Sequence, residues 1–484
     1  MRKQLLNINV QLLFLLLVLF TNSSLAASPP HVIASIKPIH SILAGIMQGV
    51  GKPDLLVDGA TLPWQYEPGM MQQFEIDKAD LVVWTGEELE PKLNELLSHK
   101  ENGQVVEVLA LQALKVLPSR GEPEKRDAFF WLDTRNMLIL LDILTRELIA
   151  LDPSNSSSYQ RNREKMLKRL IQVDRELEFG YREVSDVPVF LYQDTQQYFE
   201  QAYAMKSDGS VASPPAAPGN LAANILKLNS WLSSRKSDYC LFSEAGMEKA
   251  HLGMLTTVSD VEPIEIDSLG MKIWPGSDLY IQLIQSNFET IASCVRKLKP
   301  ESQQKSADLL PDIPDARRFP EKISPRYLLM NHYGEMVSNQ DFLGKYQLVY
   351  FGYTFCPDIC PTSMNVISAV LKHLGEEGAA HVQPIFISVD PKRDSIEKLK
   401  EYVAYFSPQI IALTGNAEAI RRIAENFKAF YEKVPSLSGD PAYYTMDHTS
   451  SIYLLGPGGN FITKFPFGMS AITIAEKLQN IMGE

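Results

Sequence analysis

The sequence predicts an α/β protein of two domains, and three observations carry that reading. Strand-like apolar runs alternate with helix-period stretches, the pattern of sheets with helices on their faces. Two long helical stretches, about 134–151 and 156–183, stand in the first part, and a helix of that length can connect two α/β lobes. A segment rich in proline and charge, KPESQQKSADLLPDIPDARRFPEKISP at 299–325, lacks any apolar period and reads as a linker. The expected boundaries are 1–26 for a leader, 27–300 for a two-lobed first domain, 301–322 for the linker and 323–484 for a second domain. A chain of 484 residues suits about three compact lobes.

Each element has its own signal. MRKQLLNINVQLLFLLLVLFTNSSLA opens with Arg2 and Lys3, continues with the apolar run Leu12 to Phe20 and ends on small residues, as a secretory leader does. The run is short for a membrane span, which needs about 20 residues. Export to a periplasm is therefore expected, with membrane association only if the leader stays uncleaved. VIASIKPIHSIL then reads as a strand followed by an amphipathic helix, and a turn rich in glycine and proline follows. In 156–183, Met166, Leu170, Val173 and Leu177 fall on one helical stripe. In the second domain, Leu348–Tyr353 and Val382–Val389 read as buried strands. Pro361 suits the first turn of a helix running towards His373. Ser395 caps a helix to Phe406 with Leu399, Val403 and Phe406 on one face. Ser451–Leu455 and Phe461–Phe465 flank GPGGN, a hairpin signal, and a helix closes the chain.

A net charge of −12 and a pI near 5.3 argue against a nucleic-acid partner. The four cysteines, Cys240, Cys294, Cys356 and Cys360, permit three pairings, and their split across the linker favours one pair per domain. Cys356 and Cys360 stand at a strand-to-helix turn, which suggests a thioredoxin-like arrangement. Three residues separate them, against two in a C-x-x-C redox centre. An i,i+4 spacing at a helix start turns both sulfurs towards one face, and the helix N-terminus favours thiolate. Two thiolates suit Cu(I), and an added imidazole suits Cu(II) as well. Among the histidines of this domain, His373 and His381 are expected in solvent. His332 stands in the turn NHYGE, and His448 precedes a strand able to lie beside the cysteine loop.

YFGYTFCPDICPTSM, ISVDPKRDSIEKLKEYV and DHTSSIYLLGPGG, in that order and spacing, make 325–484 resemble the Sco/SenC family of copper-binding thioredoxin-like proteins. The resemblance implies Cys356, Cys360 and His448 as copper ligands, with Asp358 modulating the site. It also implies a function: delivering copper to the dinuclear copper centre of cytochrome c oxidase, or keeping that centre's cysteines reduced. The partner would be the copper-bearing oxidase subunit or another periplasmic copper or thiol protein.

IASIKPIHSIL, ADLVVWTGEELEP, FFWLD and IEIDSLG make roughly 30–298 resemble the ZnuA-like zinc-binding proteins of bacterial ABC importers. That family holds zinc with three histidines and a carboxylate. Here Trp64, Phe129 and Gln193 stand at the histidine places, and only Asp267 remains. Neither Trp nor Phe ligates zinc, and neutral Gln is a poor ligand. The expectation is a domain without that zinc site, acting as a recognition module for a partner or another ligand. Met70 and Met71 offer soft thioethers, but packing in the core of the binding lobe is their expected role. The resemblance also implies a Cys240–Cys294 disulfide. The favoured function is an exported copper-binding protein that turns over no substrate. The competing one is a thiol–disulfide reductase working through Cys356 and Cys360 without metal.

Overall fold

A computed structural model describes residues 28–483, except 121, 183–187, 204, 206, 213–225, 227, 232–238, 247–261, 299–322 and 436–443. The expected leader and nearly all of the expected linker lie outside the described residues. The chain falls into two compact units. The first comprises the chain up to Val108 with Leu140–Val173 and Asp267–Asn287; the second comprises Leu109–Ile139, Asp174–Ile266 and Phe288–Glu484.

In the first unit, β1 (Val32–Ile36), β2 (Asp54–Val57), β3 (Leu81–Trp84) and β4 (Gln104–Glu107) form a parallel sheet in the order β2-β1-β3-β4. β1 and β3 are buried along their whole length, as expected of parallel strands covered on both faces, which read as unbroken apolar runs. Helix α1 (Lys37–Ile46) follows β1 directly, with Pro38 in its first turn, where a missing N–H costs nothing. It is buried almost all round, beyond the one-sided burial its pattern predicts. His40 inside it bonds the Pro53 carbonyl at 3.1 Å. Helices α2 (Met70–Lys78) and α3 (Pro91–Ser98) follow.

The long helices are α4 (Thr134–Leu151) and α5 (Ser156–Arg182), each shared between the two units along its length. The stripe Met166, Leu170, Val173 and Leu177 is buried. In the second unit, β5 (Val189–Gln193), α6 (Gln197–Tyr203), β6 (Ser207–Ala212), β7 (Cys240–Glu244) and β8 (Ile264–Ile266) give a second parallel sheet, order β6-β5-β7-β8. Helix α7 (Leu279–Leu298) carries Cys294, and a disulfide joins it to Cys240 at the start of β7, with Cα atoms 6.0 Å apart.

The part of the second unit from residue 323 onward is thioredoxin-like. Its mixed seven-stranded sheet runs β10-β9-β13-β12-β11-β16-β17. The strands are β9 (Leu328–Asn331), β10 (Met336–Ser338), β11 (Tyr346–Gly352), β12 (Val382–Ser388), β13 (Ile411–Thr414), β16 (Ile452–Leu455) and β17 (Phe461–Phe465). β11 pairs parallel with β12 from Tyr346↔Val382 to Gly352↔Ser388, so both end at the same edge. Helices α8 (Ile359–Ala380), α9 (Ile396–Ala404), α10 (Ala417–Phe427) and α11 (Ala471–Gly483) accompany it. Ser395 caps α9 by accepting from Lys398 N at 3.4 Å. A separate ribbon, β14 (Tyr431–Pro435) with β15 (Tyr444–His448), pairs antiparallel with Tyr431 opposite His448.

Candidate metal centre

The parallel register of β11 and β12 sets the site. At the edge where β11 ends, the chain turns through Tyr353–Cys356 and enters α8 at Ile359, so Cys356 lies in the turn and Cys360 in the first turn of the helix. Cys360 is buried and Cys356 partly so. The Cys360 backbone N–H points at Cys356 Sγ, 3.4 Å away. β16 lies antiparallel beside β11, and the ribbon preceding it delivers His448 to the same end. His448 Nε2 is 3.2 Å from Cys360 Sγ. Its Nδ1 is 3.1 Å from the Thr449 carbonyl, which can only accept, so Nδ1 carries the proton and the Nε2 lone pair faces the sulfur. Tyr350 and Tyr353 stand edge-on to the imidazole.

The ligand atoms of Cys356, Cys360 and His448 all lie within 4.8 Å of one another. Among the described residues this is the one grouping of three or more Cys, His or acidic side chains with metal-ligand spacing. The Cys360 thiol hydrogen-bonds towards Cys356 and, with backbone amides, holds the Cys356 thiol far below its ordinary value against the opposing effect of burial. The same bond, with burial, raises the Cys360 thiol. One proton is thus shared, with thiolate character at the more accessible sulfur. Two soft sulfurs and an oriented imidazole are a donor set for copper.

A layer behind the ligands holds the turn in place. Asp394 is buried and accepts from Thr354 N at 3.1 Å, Thr354 Oγ1 at 2.6 Å and Ser388 Oγ at 2.6 Å. Burial pushes its carboxyl up, and the bonds from Ser388 and Thr354 oppose that shift. Arg393 pairs with Asp390, bonds the Tyr444 carbonyl at 2.9 Å and lies 3.6 Å over the Tyr444 ring. The Tyr444 hydroxyl in turn donates to Asp390 at 2.9 Å. Arg393 also faces Phe355, 4.9 Å away, and so ties the cysteine turn to the strand that ends in His448. The sequence marks ISVDPKRD as a family segment, but its positioning role appears only across the 51 residues separating Arg393 from Tyr444.

The other histidines of this domain are elsewhere. His373 and His381 are exposed, as expected. His332 is buried and accepts from Ala412 N at 3.0 Å, a structural bond. Asp358 is exposed just before α8, with no side-chain cap bond.

The four places of the importer-type zinc site are engaged in other ways. Trp64 is half-buried in a short turn over Pro63–Gln65. Phe129 is buried, its ring 5.2 Å from that of Trp131. Gln193 Oε1 accepts from Glu244 N at 3.1 Å. Asp267 accepts from Met271 N at 2.9 Å and Lys272 N at 3.0 Å, so its carboxylate closes its own loop. Lys37 fills the neighbouring space, donating to the Gly270, Met271 and Ile273 carbonyls at 3.0, 2.9 and 2.9 Å. Met70 and Met71 correct the expectation of core packing: they are 86% and 70% exposed, because α2 has Ile76 as its buried residue and turns its first turn outward.

The fold and site define a two-part α/β protein: parallel sheets with long helices, then a thioredoxin-like domain with a Cys–Cys–His cluster at a helix start. By sequence the chain belongs to the SCO1/SenC family over 315–483 and to the zinc-uptake complex component A (periplasmic) family, ZnuA, over 32–294. It is 40% identical over 159 residues to the SCO2-like protein RP587 of Rickettsia prowazekii, covering 33% of this chain and 77% of that one. It is similar to Bradyrhizobium japonicum ScoI, whose structure has copper bound, at 38% identity, covering 33% of this chain and 98% of that one with a TM-score of 0.30. It is also similar to the periplasmic zinc binding protein TroA of Treponema pallidum, at 18% identity, covering 55% and 99% with a TM-score of 0.48.

Proposed function

We propose that this chain is an exported copper-binding protein that holds the ion with Cys356, Cys360 and His448 and serves assembly of the copper centre of cytochrome c oxidase. The observation that carries the reading is His448: its Nε2 lone pair faces Cys360 Sγ at 3.2 Å while Nδ1 is held by a carbonyl. A dithiol reductase needs no such imidazole, whereas a thiolate site accepting Cu(II) gains from it. The copper-bound ScoI relative and the leader-like residues 1–26 support the same reading. The ZnuA-like half is a recognition module without the importer zinc site. That reading rests on Trp64, Phe129 and Gln193 at the histidine places and on the spent carboxylate of Asp267.

The test is a metal titration of the reduced full-length protein. One Cu(II) should bind with a sulfur-to-copper charge-transfer band, and His448→Ala should weaken it at least about tenfold, the loss expected for one coordinating or closely supporting group. Thiol exchange at Cys356 should survive that substitution. Unchanged Cu(II) affinity in the variant would remove the histidine from the site and favour the reductase reading. In the same titration zinc should leave no stoichiometric tight site that depends on Asp267; finding one, lost in Asp267→Ala, sinks the reading of the first half.

A further inference from the structure

Inside the second compact unit, residues that match the zinc-uptake family meet residues that match the SCO1/SenC family across a seam of charge. Arg326, just before β9, is buried and pairs with Asp174 of α5 at 3.0 Å and with Glu178 at 3.6 Å. Arg422 of α10 faces the other oxygen of Asp174 at 3.6 Å. Ser324 hydrogen-bonds Glu178. Some distance along the chain, buried Lys115 donates to Asp341 at 2.6 Å and to Ser338 Oγ at 2.9 Å. These charges come from both families in the chain, and each finds its counter-charge on the other side.

Burial makes the pairing informative. Asp174, Glu178, Arg326 and Lys115 are at most 9% exposed. Lys, Arg, Asp and Glu are almost never fully buried unless paired, because stripping water from an isolated ion costs several kcal/mol. If the thioredoxin-like domain were only tethered, four charges would stand on an open surface and keep their water. A contact formed only in passing would place exposed pairs at its rim, where they contribute little. Here the Asp174–Glu178–Arg326 cluster is interior, Lys115 is buried while its partner Asp341 reaches solvent, and Arg326 stacks over the Tyr203 ring at 4.6 Å as well.

We propose that the thioredoxin-like domain is permanently docked on the second lobe of the ZnuA-like half through this ion-lined seam, which makes that lobe its built-in partner. The seam uses the chain before β9, the Ser338–Asp341 turn and α10, and none of Cys356, Cys360 or His448. The metal end therefore stays free for an outside protein. The seam also adjoins the site along the chain: α10 ends at Phe427, and β14 begins at Tyr431, opposite His448.

Hydrogen exchange on the full-length protein tests this. Asp174→Asn removes the charge that Arg326 and Arg422 share while keeping its shape. For a docked domain, amides of Arg326–Asn331 and of α10 should exchange at least about tenfold faster, as loss of one member of a buried pair requires. Peptides of β11 and β12 should keep their protection. Asp341→Lys, at a partly exposed side chain facing Lys115, gives a second break with less risk to folding; because Asp341 also caps the Ser338 turn by accepting from Ser338 N at 2.6 Å, the reading is taken across the seam, where Lys115–Leu117 should exchange faster. Faster exchange confined to α5 in the first variant, or confined to Ser338–Phe342 in the second, would overturn the proposal.

Discussion

Gly352 ends β11 at the point where a side chain has least room. A Cβ there would lie 2.8 Å from Phe386 Cε2 and 2.9 Å from Cys360 Sγ, closer than real Cβ contacts come. The space matters rather than the backbone angle, and one of the crowding atoms is a proposed ligand. Gly352→Ala should therefore cost about 1–3 kcal/mol of stability, the usual range for overpacking. It should also shift the copper charge-transfer band by displacing the sulfur; urea unfolding and the absorption spectrum together check this. A native spectrum with native stability would show that the sulfur has slack. The cysteines were legible because their spacing is local. His448 was legible only through the family resemblance, since a lone histidine in sequence is more often structural. Arg393, Asp394 and Tyr444 were not legible as a supporting layer. Their bonds close over separations of 40 to 54 residues, and no local pattern encodes such distances.

At the scale of elements, periodicity and caps located most of the structure. The apolar stripe of α5 and the Ser395 cap of α9 are set by neighbours three or four residues away, so sequence shows them directly. Met70 and Met71 show the limit: two apolar residues predict burial, but which face of a short helix meets the core depends on the packing of the lobe. The end of α10 was also hidden. Lys428 takes the left-handed conformation there, φ 55° and ψ 34°, with its N–H bonding back to the Ala424 and Glu425 carbonyls. Glycine is the usual residue in that position because a Cβ costs roughly 1–2 kcal/mol in the left-handed region. Lys428→Gly should raise the unfolding free energy of the thioredoxin-like domain by up to about 1 kcal/mol, part of the gain being offset by glycine's larger unfolded-state entropy. The urea midpoint measures it. A lowered midpoint would mean that the lysine side chain makes a contact worth more than the strain it bears.

At the scale of the whole molecule, the compact units do not follow the linker that the sequence marks. Each residue of the seam reads as an ordinary surface charge until its partner, more than a hundred residues away, is known. Burial of acids in both units gives the molecule two opposed pH limits. Burial pushes the Asp174 carboxyl up, but Arg326, Arg422, Thr134 and Arg135 outweigh it and hold it at about 2, against 3.8 ordinarily. Such a group stabilises the fold above its unfolded value and loses that contribution as pH falls from about 4 towards 2. Glu90 behaves oppositely. It is buried beside Ser35 and the Thr85 amide, and burial raises it to about 7 from 4.5 despite those bonds. Its folded state favours the neutral acid, so stability falls as pH rises from about 4.5 towards 7. Asp127, also raised to about 7 by burial, adds to that limb in the second unit. Thermal unfolding should therefore peak in mildly acidic buffer and decline on both sides. Glu90→Gln keeps the shape without the charge and should remove part of the decline above pH 5, while leaving the acid limb intact. The full swing of a shift of this size is on the order of 3 kcal/mol, since one pKa unit corresponds to about 1.4 kcal/mol. Differential scanning calorimetry from pH 3 to 8 on both proteins decides it. Identical alkaline limbs would show that Glu90 is ionised in the folded protein.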